Sequence, residues 1–146
     1  MVDNMPASAR KDIFVGRQLC NERCHTRSGH PIDHEHLNRY TLGDYQIECE
    51  ILELFASQLP RLINDLKRAV SQRNRCAWLE ASHAMKGAAQ AVGALQIAQL
   101  ACEAEQAVDT FQNFDITELV AAADVVMSHI NEYGRHYADR KAYPGK

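Results

Sequence analysis

The stretch YQIECEILELFASQLPRLINDLKRAVSQ, residues 45 to 72, decides the fold class of this 146-residue chain. Apolar side chains recur in it at steps of three and four, which is the spacing of one face of an α-helix. They are Ile47, Ile51, Leu54, Phe55, Leu59, Leu62, Ile63, Leu66 and Val70. We therefore predict one long amphipathic helix, in which Pro60 removes a backbone donor and produces either a kink or a break.

Three further amphipathic segments follow this helix. We predict helices at residues 75–92, 94–108 and 116–137, with Asn74 as a cap of the first and a turn at Gly93 after it. No run alternates apolar and polar residues well enough to predict a strand. Four amphipathic helices with short connections predict an all-α fold, an antiparallel four-helix bundle with an N-terminal accessory helix.

The chain before the bundle divides near Gly29 and Pro31, where a helix is not expected to continue. Residues 1–31 are predicted to be a polar arm, either irregular or with one short helix around residues 13–20. From the candidate N-cap Asp33, a short helical segment is expected to cover one end of the domain. The bundle is therefore predicted over residues 32–140, and residues 141–146 are expected to fray.

Composition excludes several classes of protein. A net charge of −3 gives no basic surface for nucleic acid. The apolar run in the first thirty residues is too short for a signal peptide or a membrane span, so we expect a cytoplasmic protein without a membrane partner. No GxxxxGK[ST], GxGxxG or GxSxG motif occurs, so neither nucleotide binding nor a nucleophile-elbow hydrolase is predicted.

The predicted third helix carries an unusual set of outward residues. Its apolar stripe is Trp78, Ala81, Met85, Ala88 and Val92. At about 100° per residue, His83 lies opposite that stripe and is predicted to point into solvent. The same face collects Cys76, Leu79, Glu80, Lys86, Gly87 and Gln90. Glycine inside a helix costs about 1 kcal/mol relative to alanine, so Gly87 suggests a backbone kept bare for something to approach.

Reversible phosphorylation of an imidazole suits this face. A neutral histidine has one ring nitrogen with a free lone pair, and an exposed one can attack phosphorus without a dedicated base. Lys86 would offset the incoming charge, and Gly87 would leave room for a partner to close over His83. The alternative is that His83 and Lys86 are ordinary solvated surface residues.

The sequence resembles the histidine-containing phosphotransfer (HPt) domains of bacterial and plant phosphorelays. Their signature is a His, any residue, an apolar residue, Lys-Gly and two small residues, followed by an apolar residue, Gly and Ala or Leu. Here it reads HAMKGAA at residues 83–89 and VGA at residues 92–94. The resemblance also covers ILELFASQLPRLINDLKRAV at 51–70 and LQIAQLACEAEQ at 95–106, and about 32–131 in all. Many members have Ser where this chain has alanines after the Lys-Gly pair, and residues before 32 have no counterpart.

The resemblance implies a phosphoryl carrier rather than an enzyme, without an ATP site or turnover of its own. His83 would be the phosphoacceptor, Lys86 its electrostatic support and Gly87 the clearance. The implied partners are response-regulator receiver domains and a hybrid histidine kinase. No cofactor is expected on this chain, because the receiver would supply Mg²⁺. The docking surface would include Cys76, Leu79, Glu80 and Gln90.

Three other interpretations remain open. The chain could be an adaptor or scaffold of the same fold that is never phosphorylated, or the phosphoacceptor module of a larger kinase. A structural zinc site is a further alternative, because the leader combines Cys20, Cys24, His25, His30, His34 and His36. Their spacing matches no standard zinc motif, so no metal site is predicted. The basic run Lys67, Arg68, Arg73 and Arg75 either assists docking to an acidic receiver or is a solvated loop.

Overall fold

The computed structural model describes residues 30–142, which fold into a helical bundle. The elements are α1 (His34–Thr41), α2 (Tyr45–Ser71), α3 (Arg75–Val92), α4 (Leu95–Gln106), a 3₁₀ helix (Val108–Asn113) and α5 (Thr117–Ala142). No strand occurs between residues 30 and 142, and the predicted all-α four-helix bundle, formed by α2 to α5, is confirmed. None of these helices is long and apolar enough to cross a membrane. The predicted arm up to residue 29, the optional helix at 13–20 and residues 143–146 lie outside the described residues.

Short polar side chains begin three of the helices. Asp33, Asp44 and Asn74 each accept a hydrogen bond from a backbone N–H two or three residues further on, at 3.0–3.2 Å. These bonds satisfy donors that the first turn of a helix leaves free. Gly93 ends α3 with φ +78°, a left-handed conformation that glycine adopts without steric cost. The predicted caps at Asp33 and Asn74 and the turn at Gly93 are therefore confirmed.

Helix α2 runs without interruption through Pro60. The predicted alternative, a break at Pro60, is therefore wrong. Proline in a helix interior costs about 3 kcal/mol, but the apolar face of α2 is buried on both sides of it. Leu52, Leu59 and Leu66 are fully buried, and burying a leucine side chain contributes about 1.5–3 kcal/mol each. Packing against the bundle outweighs the local preference of Pro60.

Contacts between the helices establish their antiparallel order. Tyr133 and Tyr137 of α5 reach Glu48 and Gln46 near the start of α2. In the other half of the bundle, the buried Trp78 near the start of α3 donates its indole N–H to the carbonyl of Ala104 near the end of α4, at 2.7 Å. The Trp78 ring also packs against Phe111 and Phe114. Trp78 therefore ties α3 to α4 and to the segment that leads into α5.

Helix α1 covers one end of the core. Ile32 and Leu37 are buried there, and the backbone N–H of Asp33 donates to the carbonyl of Gly93 at 2.9 Å. The short segment after Asp33 therefore occupies the position predicted for it, and it is joined directly to the residue that ends α3.

Candidate functional site

His83 lies near the middle of α3 on its solvent face, with a side chain that is 71% exposed. The opposite face of α3 is buried against the bundle, where Trp78 and Met85 are fully covered. The buried face also includes Ser82 and Ala89, while Ala88 of the predicted stripe is only partly buried. Ser82 is buried without penalty because its hydroxyl donates to the Trp78 carbonyl at 2.7 Å. The helical period therefore places His83 outward, as predicted.

Glu105 of α4 lies beside His83. Its Oε1 atom is 3.2 Å from Nδ1 of His83, and its Oε2 atom is 2.5 Å from Nζ of Lys86. One carboxylate therefore joins His83 to Lys86. Glu105 is only 26% exposed, so this contact is partly shielded from water.

The charge of Glu105 fixes the tautomer of His83. Burial alone would raise the pKa of the Glu105 carboxyl, but hydrogen bonds from Lys86 and His83, together with their positive charges, hold that pKa below its usual value of 4.5. At neutral pH the carboxylate is therefore ionised and can only accept hydrogen bonds. Nδ1 of His83 must carry the proton, which leaves the lone pair of a neutral ring on Nε2.

Lys86 occupies a more constrained position than predicted. The sequence places it one turn after His83, free to meet an incoming charge. In the structure its side chain is 23% exposed and its ammonium group is paired with Glu105. Lys86 is therefore held within the same small cluster as the imidazole, and Glu105 lies between the two.

Gly87 leaves open space on this face. A Cβ atom added at Gly87 would meet nothing within 4 Å, so nothing in the described chain requires glycine there. Of the predicted docking residues, Cys76, Glu80 and Gln90 are exposed and Leu79 is partly buried. The face around His83 is therefore open to a partner.

A groove of about 540 Å³ runs between α2 and α3 beside this face. Small side chains line its α3 wall at Ala77, Ala81, Ala84 and Ala88, next to Glu80. Its α2 wall includes Arg61 and Arg68. His83 does not line the groove, but Ala84, the next residue in the chain, does. Sequence periodicity did not predict it, because it depends on how far apart two helices with small facing residues lie.

Two members of the predicted basic run have acidic neighbours. Arg68 is 3.7 Å from Asp65, and Arg75 is 3.1 Å from Asp109. Both arginines are largely exposed, and pairs of this kind contribute at most about 1 kcal/mol. Arg68 thus adds a positive charge to the groove without being locked in place.

The proposed alternative of a zinc site receives no support from the part of the chain that the structure describes. Between residues 30 and 142, no group of three or more His, Cys, Asp or Glu side chains is arranged to bind a metal ion. Cys20, Cys24 and His25 of the leader cluster lie outside the described residues.

Comparison with known proteins identifies the family. A family model described as the Hpt domain matches residues 50–130, more than half of the chain. Searches of curated proteins and of solved structures give no significant match. The matched residues span most of α2, all of α3 and α4, and the first half of α5, so they include the imidazole, its carboxylate partner and the groove. The chain therefore belongs to the Hpt domain family.

Proposed function

We propose that His83 accepts a phosphoryl group on Nε2 from the aspartate of one receiver domain and returns it to the aspartate of another. The observation that carries the proposal is the contact between Glu105 and Nδ1 of His83, 3.2 Å long. An exposed imidazole is common on helices, but one held in a single tautomer by a partly buried carboxylate is prepared for nucleophilic attack. Hpt domains act as phosphocarriers in phosphorelays, which agrees with this role.

The transfer needs little from this chain beyond position and charge. A bond forms between Nε2 of His83 and phosphorus, and the bond between phosphorus and the aspartyl oxygen breaks, so the aspartate leaves as a carboxylate. Nδ1 keeps its proton, and positive charge develops on the imidazole ring beside the Glu105 carboxylate. That charge is stabilised where it forms. Lys86 supplies a positive charge on the same face for the phosphoryl oxygens.

The receiver would supply Mg²⁺ and the acidic pocket, so this chain needs no cofactor or ATP site of its own. The partners are then receiver domains of response regulators and of a hybrid histidine kinase. Their docking surface is the face around His83, with Leu79 at its centre and Cys76, Glu80 and Gln90 around it. Gly87 lets the receiver approach the imidazole without meeting a side chain.

The direct test is transfer from phosphorylated receiver domains to the purified chain in the presence of Mg²⁺. We expect a label that is lost in acid and kept in base, as for a phosphoimidazole. His83→Gln should remove it. His136→Gln is the matched control, since His136 is an exposed histidine on α5 and should leave labelling unchanged.

Two outcomes would contradict the proposal. Labelling of the His83→Gln variant would place the phosphoryl group on another residue. Stable binding of receivers without any label would favour the adaptor interpretation instead. For the docking surface, Leu79→Asp should slow transfer while thermal stability is preserved, and normal kinetics in that variant would remove Leu79 from the interface.

A further inference from the structure

A second histidine cluster lies where α1 meets α5, at the end of the bundle that α1 covers. Nε2 of His34 is 2.8 Å from Nε2 of His129, and the two ring centroids are 5.1 Å apart. The two nitrogens therefore point at each other, head to head. This geometry matches an N–H···N hydrogen bond, in which one ring donates and the other accepts.

Aromatic and acidic groups from three helices surround this pair. The His34 ring stacks on Tyr133 of α5, with centroids 4.5 Å apart. The Tyr133 hydroxyl donates to Glu48 of α2, a buried carboxylate that also accepts from Thr41 of α1 at 3.0 Å. The other titratable or charged groups near the pair are His30 and Asp33 just before α1, Asp124 and Glu132 of α5, and Tyr45 of α2, which packs on Tyr133.

The distance between the two Nε2 atoms limits how many protons the pair can hold. At 2.8 Å there is room for one hydrogen between the nitrogens. If both rings were protonated, each Nε2 would carry a hydrogen directed at the other, and two like charges would face each other. Among residues 30–142, Nδ1 of His34 is buried without a hydrogen-bond partner, so it offers no favourable place for the additional charge.

The local electrostatics act in the same direction. Burial lowers the pKa of His34, and the neighbouring His129 lowers it further, despite the opposing effects of Glu48 and Asp33. Burial also lowers the pKa of His129, with His30 adding to the effect and Glu132 opposing it. Both rings therefore favour the neutral form in the folded chain, whereas in an opened α1 they would take up protons near pH 6.5.

We propose that the contact between His34 and His129 is a proton-operated latch that holds α1 on α5 at neutral pH and releases it in mild acid. Release would uncover the end of the core beneath Ile32 and Leu37. It would also break the hydrogen bond from Asp33 to Gly93, the residue that ends the helix carrying His83. The latch acts on the fold itself and does not depend on phosphorylation of His83.

The expected size follows from proton linkage. The opened state binds one proton more than the latched state, so α1 opening becomes more favourable as pH falls below 6.5. If the latched state excludes one proton and the opened state binds it with an ordinary histidine pKa of 6.5, the equilibrium constant for opening of α1 should be about tenfold larger at pH 5.5 than at pH 7.5. Amide hydrogen exchange, expressed as protection factors for α1, measures this ratio in the full-length chain in the presence of EDTA.

Two variants make the experiment specific. His129→Gln should reduce the pH response well below tenfold, because a side-chain carbonyl can accept a hydrogen bond from a protonated His34 and mainly the burial of His34 then opposes its protonation. His136→Gln should retain the pH response, since His136 is an exposed histidine that follows His129 further along α5. A tenfold response that survives in His129→Gln would overturn the proposal. So would a response that appears only without EDTA, because that would indicate a bound metal ion.

A second measurement does not depend on whether His129→Gln folds. Titration of the imidazole resonances in the wild-type chain should show that His34 and His129 together take up only one proton while α1 stays protected. Full protonation of both rings at pH 5.5 with unchanged α1 protection would refute the latch.

Discussion

Replacing Gly87 with alanine should stabilise the protein and impair its function. Gly87 lies inside α3, more than one turn from the C-terminal end of that helix, and an added Cβ would meet no atom of the described residues within 4 Å. The substitution therefore raises the helix propensity at this position without a clash, and the free energy of unfolding should increase by about 0.8–1.0 kcal/mol. For a domain of this size we expect the melting temperature to rise by about 2–6 °C.

The effect on transfer should have the opposite sign. If a receiver closes over His83 with its backbone or catalytic loop against Gly87, one extra methyl group overpacks that contact, at a cost of about 1–3 kcal/mol. Phosphoryl transfer under second-order conditions should then slow by roughly 5- to 150-fold. The rate of labelling by a phosphorylated receiver measures this, alongside thermal unfolding of the same sample.

Gly134→Ala is the matched control. Gly134 lies inside α5, and its added Cβ would come no closer than 3.9 Å to a Glu53 oxygen, an ordinary contact. It should give a similar gain in stability and leave transfer unchanged. Wild-type transfer by Gly87→Ala would refute the clearance argument. A loss of stability in Gly87→Ala would show that the space around this residue is not open.

Three further predictions concern stability. Because the pKa of Glu105 in the folded chain lies below 4.5, the contribution of its ion pair to stability should be complete above about pH 4.5 and should be lost as pH falls through that lower pKa. In urea unfolding from pH 3 to 7, the Glu105→Gln variant should lack this acid-dependent loss of stability. Gly93→Ala should destabilise the chain by at least about 1–2 kcal/mol in chemical denaturation, because φ is +78° and the new Cβ would lie 2.8 Å from the Asp33 carbonyl oxygen. Trp78→Phe should cost about 1–3 kcal/mol by the same assay, because the buried Ala104 carbonyl loses its donor.

Most of the fold could be predicted from residue spacing. The four long helices could be predicted from the helical periodicity, because each helix buries one apolar face and carries its polar residues on the opposite face. The effect of Pro60 could not be predicted from its helix propensity alone. Whether α2 breaks there depends on how much apolar surface of α2 the bundle buries on either side of the proline. The stop of α4 at Gln106 and the 3₁₀ helix after it were likewise not predicted.

The candidate site could be predicted only in part. His83, Lys86 and Gly87 share one helix face, so their grouping follows from the helical period alone. Glu105 is on another helix, and no periodicity within α3 refers to it. The segment LQIAQLACEAEQ is part of the family resemblance, but the resemblance does not assign Glu105 a contact with His83. That contact depends on the register between two helices.

The register itself follows from the turn at Gly93 and Ala94. His83 and Glu105 each lie eleven residues from Ala94, so in an antiparallel pair of helices both are about 16 Å from the turn, at the same height. The site is therefore built by a helical hairpin, and an insertion or deletion of one residue on either side of Ala94 would rotate Glu105 by about 100° away from the imidazole. Gly93 matters to the chemistry for this reason, although it lies far from His83. Its left-handed conformation and its contact with Asp33 hold the hairpin in the one register in which the carboxylate meets Nδ1.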